Sequence, residues 1–101
     1  MIIVYITASS EEEAKKIANY LVENKLAACA NYFSISAVYR WKGKVEDDKE
    51  FVVLAKSRND LFKEIEKKIK EIHSYELPCI LALQVEEGNK EYLDWVGEET
   101  K

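Results

Sequence analysis

Three short segments of the chain are entirely apolar, and this pattern constrains the fold more than any other feature. They are residues 2–6, 51–55 and 80–83. Successive side chains of a β-strand point to opposite faces, so a strand with one face in water alternates between apolar and polar residues. These segments do not alternate; Ile2 and Ile3, for example, would face opposite sides of a sheet. The sequence therefore predicts a sheet that needs cover on both faces.

Two amphipathic helices are predicted between the strands. Ser10 followed three residues later by Glu13 is a capping-box pattern, which is typical of a helix N-terminus. Apolar residues then recur at helical spacing in two stretches. These are Ala14, Ile17, Ala18, Leu21 and Val22 in the first stretch, and Leu61, Phe62, Ile65, Ile69 and Ile72 in the second.

The residues between the helices are typical of a long β-hairpin. Residues 27–41 and 45–56 are rich in small, aromatic and β-branched side chains, and Lys42 and Gly43 lie in the break between them. Pro78 separates the second helix from the last strand, and a short helical pattern follows near the C-terminus. The order βαββαβ plus a C-terminal helix predicts an α+β, ferredoxin-like sandwich with an antiparallel sheet, formed as a single domain over residues 1–101.

The second face of this sheet needs a cover that the two long helices cannot supply. The C-terminal helix could fold over part of it, but a helix of about ten residues is too short to cover four strands. Self-association is the other candidate, because both the apolar face and the edges of the long hairpin could contact a second copy. We therefore expect an oligomer.

Charge and composition exclude several classes of function. The net charge is −4 at pH 7, and the basic residues are interspersed with Glu, so we expect no binding of nucleic acid. Residues 1–7 carry no basic residue and lead directly into a polar segment, so we expect neither a signal peptide nor a membrane span, and we place the protein in the cytoplasm. The predominance of Glu and Lys favours a thermophilic source.

Five pieces of the sequence resemble, in the same order, the signature segments of one protein family. They are LAACAN at residues 26–31, SAVYRWKGK at 36–44, the pair Glu50 and Lys56, HSYELP at 73–78, and YLDW at 92–95. Together they resemble the CutA family of divalent ion tolerance proteins over nearly the whole chain, although Ser74 stands where that family usually has Pro. The resemblance implies a ferredoxin-like subunit packed into a homotrimer, with a role in tolerance of divalent metals, above all copper.

His73 and Cys29 are the candidate metal ligands. Imidazole is the commonest neutral ligand for copper, and a thiolate suits Cu(I). Each has a structural alternative: His73 could hydrogen-bond a carbonyl at a helix C-terminus, and Cys29, like Cys79, could be a small buried hydrophobe or form a Cys29–Cys79 disulfide. Ile6 and Ile72 occupy positions at which some bacterial relatives have proposed copper ligands, so the resemblance carries over only His73. We expect copper or another divalent cation to be bound weakly and not to be obligatory.

A second group of residues could line a ligand cleft. It comprises the aromatic residues Tyr39, Trp41, Tyr75 and Trp95 with the charged residues Glu50, Lys56 and Glu76. The alternative is aromatic packing at a subunit interface, where Tyr and Trp are enriched.

Two functions of different classes follow from these candidates. The first is a cytosolic homotrimer that binds copper weakly and contributes to metal tolerance. The second is a trimeric sensor or signalling scaffold that binds a small anion or metabolite in clefts between subunits, near Trp41, Lys56, His73 and Tyr75. The chain contains no phosphate-binding loop and no Ser-His-Asp order, so we do not expect an enzyme.

Overall fold

The computed structural model describes residues 1–101 and contains the predicted elements in the predicted order. They are β1 (Ile2–Ala8), α1 (Glu11–Glu23), β2 (Cys29–Trp41), β3 (Lys44–Ser57), α2 (Phe62–Ile72), β4 (Ile80–Gln84) and α3 (Lys90–Glu99), with a 3₁₀ turn at Asn59–Leu61 before α2. The strands form one sheet in the order β2-β3-β1-β4, and every neighbouring pair is antiparallel. The predicted α+β fold with a ferredoxin-like order is confirmed.

The hydrophobic core lies between one face of the sheet and the two long helices. β1 contributes Ile2, Val4 and Ile6, which are fully buried, and β3 contributes Val53 and Ala55. The helical residues that cover them are the predicted stripes, with Ala14, Ile17, Ala18 and Leu21 buried on α1 and Ile65 and Ile69 buried on α2. The alternate residues of the same strands therefore point away from the helices.

The opposite side of the sheet, which we call the open face, is also apolar. It is formed by Ile3, Tyr5, Phe33, Val52, Leu54, Leu81 and Leu83, which the strand register places on the same side. Leu81 is 52% exposed and Leu83 is 48% exposed, so much of this face has no cover within the subunit.

The C-terminal helix does not supply that cover. α3 has ten residues and lies at the end of the sheet where β2 begins: Tyr92 is next to Cys29, and the N–H of Lys101 donates to the carbonyl of Lys25 over 3.0 Å. Val96 is its one fully buried apolar residue. The need for an external cover, expected from the sequence, is thus present in the structure.

The hairpin of β2 and β3 extends beyond the rest of the sheet. β1 pairs with β3 only from Phe51 to Ser57, whereas β2 pairs with β3 as far as Trp41 and Lys44. The turn between them has positive φ at Lys42 (50°) and Gly43 (82°), the conformation of a two-residue turn that matches the twist of a hairpin and favours glycine. The projecting half is two-stranded and gives the molecule its 44 Å length.

None of the three helices is long and apolar enough to cross a membrane.

Candidate functional site

An open groove of about 580 Å³ lies between the projecting hairpin and the segment that joins α2 to β4. The hairpin contributes Ile35, Ala37, Tyr39, Arg40, Trp41 and Glu50; β1 contributes Tyr5 and Thr7; the joining segment contributes Ser74, Tyr75, Glu76, Leu77 and Cys79. Five of the seven residues that we proposed for a cleft therefore lie around one groove. Trp95, the fourth aromatic candidate, is on α3 and does not line it.

Two tyrosine–carboxylate hydrogen bonds shape the groove. The hydroxyl of Tyr75 donates to Glu50 Oε2 over 2.7 Å, and the hydroxyl of Tyr39 donates to Asp48 Oδ2 over 2.6 Å. The bond to Asp48, with a smaller contribution from burial, raises the pKa of Tyr39 to about 12. Burial and then the bond to Glu50 raise the pKa of Tyr75 still further. Both tyrosines are therefore neutral donors that hold the two strands and the joining segment in place.

A lysine from the hairpin turn lies at the rim of the groove. Lys42 Nζ is 5.6 Å from the centre of the Trp41 ring and 3.9 Å from Glu76 Oε2. Its ammonium ion thus contacts an aromatic ring and a carboxylate together, an arrangement that stabilises organic cations.

Lys56, like Trp95 a proposed cleft residue, does not line the groove. It lies on the same side of β3 as Glu50, but six residues along a strand amount to about 20 Å. Its ammonium ion instead donates to Asn31 Oδ1 and lies 3.9 Å from Cys29 Sγ. Sequence spacing indicated the correct face but could not indicate which residues the groove encloses.

His73 is held by hydrogen bonds at both ring nitrogens, and its side chain has no exposed surface. The N–H of Tyr75 donates to Nδ1 over 3.0 Å, so Nε2 carries the proton and donates to the carbonyl of Thr7 over 2.6 Å. The hydrogen bond to a carbonyl is the structural role that we considered for this residue. A metal ion could bind His73 only if one of these bonds were released.

Cys29 is not part of a cluster of metal-binding side chains within the subunit. Cys29 and Cys79 are both free thiols, so the possible disulfide between them is not formed. The structure contains no group of three or more His, Cys, Asp or Glu side chains that could hold a metal ion. Ile6 and Ile72 occupy the positions where relatives have proposed ligands. Ile6 is buried in the core, and Ile72 packs against the core. The residues of one subunit therefore do not fit a copper site.

Glu13 links the start of α1 to the segment that carries His73 and Tyr75. The N-cap prediction is confirmed, because Ser10 Oγ accepts the N–H of Glu13 over 3.1 Å. The carboxylate, however, accepts hydrogen bonds from the N–H and hydroxyl of Ser9 and from the N–H and hydroxyl of Ser74. Sequence analysis missed the contact with Ser74, which is 61 residues away. A proline at that position could not donate the N–H bond.

These four bonds determine the ionisation of Glu13. Burial acts to raise its pKa, but the hydrogen bonds from Ser9 and Ser74 together outweigh burial and lower the pKa below the ordinary value of 4.5. A depressed pKa in the folded state means that the carboxylate stabilises the fold above about pH 4.5, and that this contribution is lost as the pH falls through the folded-state value.

We therefore expect Glu13→Gln to weaken the pH dependence of stability. The wild-type protein should lose stability between about pH 5 and pH 3 more steeply than the variant, because only the wild type must protonate this carboxylate. Urea unfolding followed by circular dichroism at several pH values measures the difference. Glu12→Gln, an exposed neighbour on α1, is the matched control, and equal slopes for the two variants would contradict the role of Glu13.

Comparison with known proteins identifies the family. The sequence profile described as CutA1 divalent ion tolerance protein matches residues 2–99 of the chain. The chain belongs to the CutA1 family. The resemblance inferred from the five ordered segments is thus confirmed.

The chain is similar to prokaryotic relatives in this family over nearly their full length. A divalent-cation tolerance protein CutA from Archaeoglobus fulgidus is 48% identical over 95 residues, which are 94% of this chain and 93% of the relative. A solved structure of CutA from the same organism, described as periplasmic, is 46% identical with a TM-score of 0.96, and covers 99% of this chain and 98% of the other.

Two further CutA structures show the range of the similarity. CutA1 from Pyrococcus horikoshii is 44% identical with a TM-score of 0.95, covering 100% of this chain and 99% of its own. A CutA from Nostoc, described as PII-like, is 31% identical with a TM-score of 0.93, covering 100% and 98%. The CutA1 fold is therefore shared over the whole chain, including the hairpin and the segment that form the groove.

Proposed function

We propose that this CutA1 protein is a non-catalytic homotrimer that contributes to divalent cation tolerance and binds a small ligand in the groove beside the projecting hairpin. The observation that carries the proposal is the groove itself, in which aromatic walls and a few polar groups converge as they do in small-molecule sites. The description of the Nostoc relative as PII-like supports a binding protein by analogy.

The trimer is part of the proposal because of where the groove lies. Tyr5, Tyr39 and Trp41 are on the side of the strands that also carries the uncovered apolar residues. A neighbouring subunit that covers the open face would therefore also cover the groove and reduce its access to water. The ligand would then bind between subunits.

Weak direct binding of copper is the second candidate. It is favoured by the divalent-cation tolerance described for the relatives and by the free, half-buried thiol of Cys29. Within one subunit, however, Cys29 lies beside the ammonium ion of Lys56, and both ring nitrogens of His73 are engaged. A tight copper site would need further ligands from another subunit.

The cellular location and the source belong to the same proposal. We propose a cytoplasmic protein, supported by two thiols that remain free, as is usual in reducing compartments; the relative described as periplasmic leaves this to be tested by cell fractionation. Ion pairs along α2, such as Glu66 with Lys63 and Lys70, support a thermophilic source.

We propose no partner other than the neighbouring subunits of the trimer and the ligand. We propose binding neither to nucleic acid nor to a membrane.

Calorimetric titration of matched tryptophan variants tests the groove. The wild-type protein, Trp41→Ala and Trp95→Ala are titrated with Cu(II) and with a panel of cationic, anionic and neutral metabolites. We expect a ligand from the panel to bind the wild type and Trp95→Ala, and to lose about tenfold or more in affinity for Trp41→Ala, because only Trp41 lines the groove.

The copper titration separates the two candidates. We expect weak copper binding that changes little in His73→Ala and Cys29→Ser. Saturable copper binding that disappears in either variant, with no ligand whose affinity depends on Trp41, would contradict the groove and support direct metal binding.

A further inference from the structure

The groove contains a carboxylate without a cationic partner. Glu50 is half-buried on β3, and one of its oxygens accepts the hydroxyl of Tyr75. No ion pair to Glu50 is present in the structure, although seven lysine or arginine ion pairs are formed elsewhere in the molecule. A partly desolvated carboxylate is stabilised by a nearby positive charge, so this position favours a cation.

The charge of Glu50 affects the other groups in the groove. Burial raises the pKa of the Cys79 thiol, and the charge of Glu50 raises it further. For Tyr75 the order is the same: burial comes first, followed by the hydrogen bond and the charge of Glu50. The charge of Glu50 therefore disfavours further negative charge in its part of the groove.

The walls around Glu50 are aromatic. Tyr5, Tyr39, Tyr75 and Trp41 all line the groove. Aromatic faces attract organic cations and contact their alkyl groups, whereas Mg²⁺ and Ca²⁺ require about six oxygen ligands. The only carboxylates that line the groove are those of Glu50 and Glu76, so the lining suits an organic cation better than a metal ion.

The rim of the groove already holds an ammonium ion of the chain itself. Lys42 Nζ contacts the Trp41 ring and the Glu76 carboxylate. Arg40 is the one cationic residue among those that line the groove, and strand alternation directs its side chain away from the face that carries Tyr39 and Trp41. The balance of charge in the groove is thus negative.

We propose that the ligand of the groove is a small organic ammonium ion, whose N–H groups donate to Glu50 and whose alkyl body packs against Tyr75 and Tyr39, the tyrosines bonded to Glu50 and to the nearby Asp48. This inference rests on the proposed function, because it gives the chemical class of the ligand in the same groove.

Titration with n-butylammonium, with n-butanol as the uncharged analogue, tests the inference. The protein is used in its solution assembly, and binding is followed by calorimetry and by the ring resonances of Tyr39 and Tyr75. We expect saturable binding of butylammonium and none of butanol. Glu50→Gln should lower the affinity about tenfold, because the amide keeps an acceptor for the Tyr75 hydroxyl but loses the charge.

Asp47→Asn is the matched control. It removes the same charge from an exposed position on the other side of β3. The affinity of this variant for butylammonium should therefore stay within about twofold of the wild-type value. Circular dichroism of each variant checks that it is folded.

The outcomes separate this inference from the proposed function. Equal affinity for Glu50→Gln and the wild type, or equal binding of butanol and butylammonium, would overturn the ammonium ligand. If butylammonium does not bind while an anion or neutral metabolite binds in a way that depends on Trp41, the ammonium ligand is wrong and the groove stands. If no ligand binds with an affinity that depends on Trp41 or on Glu50, both the ammonium ligand and the groove are wrong.

Discussion

Replacing Val52 with aspartate should abolish most of the stability of the protein. Val52 is 1% exposed, and the strand register places it on the open face beside Thr7 and Phe33. A carboxylate there would be buried without a partner, at a cost of several kcal/mol against a total stability of about 5–15 kcal/mol for an ordinary domain. Urea unfolding and the yield of soluble protein measure the effect.

Val45→Asp is the control for that substitution. Val45 is on the same strand, but it is in the projecting hairpin and 64% exposed, so the same chemical change should cost little there. If Val52→Asp were as stable and as soluble as Val45→Asp, the burial of Val52 would be wrong.

The double variant Leu81→Glu/Leu83→Glu should convert the proposed trimer into a folded monomer. Both leucines are about half-exposed in the subunit, so glutamate costs little while the subunit is alone. In a trimer that covers the open face, the two carboxylates would be buried against an apolar surface, and association would become unfavourable. Sedimentation velocity measures the mass, and circular dichroism shows whether the fold is kept.

Val22→Glu is the matched control, because Val22 is a similarly exposed apolar residue on α1, on the helical side of the molecule. It should remain trimeric. A double variant that also remains trimeric would show that subunits associate through a different surface.

The sequence predicted the fold almost completely because its local signals agree with one another. The capping serine, the apolar stripes of α1 and α2 and the turn at Lys42 and Gly43 are each visible within a few residues of the chain, and all are present in the structure. The apolar strands indicated the second face in advance, since a period of two assigns each residue to one side of a sheet.

The contacts of the site were harder to predict because they join distant parts of the chain. The bond of His73 to Thr7 spans 66 residues, and that of Ser74 to Glu13 spans 61. Neither leaves a local pattern. Lys56 shows the same limit in another form: alternation placed it on the face of Glu50 but gave no measure of where the groove ends.

The number of subunits is not contained in the residue pattern. Uncovered leucines on β4 require a partner surface, but any closed assembly could provide one. The number three comes from the family, and it stays a prediction for this chain.

The mass of the wild-type protein in solution is the most direct test of this assembly. Light scattering at micromolar concentration should give about three times the chain mass of 11.7 kDa, since the open face and the groove are then covered by neighbouring subunits. A folded, soluble protein with the mass of one chain at that concentration would contradict both the trimer and a ligand site between subunits.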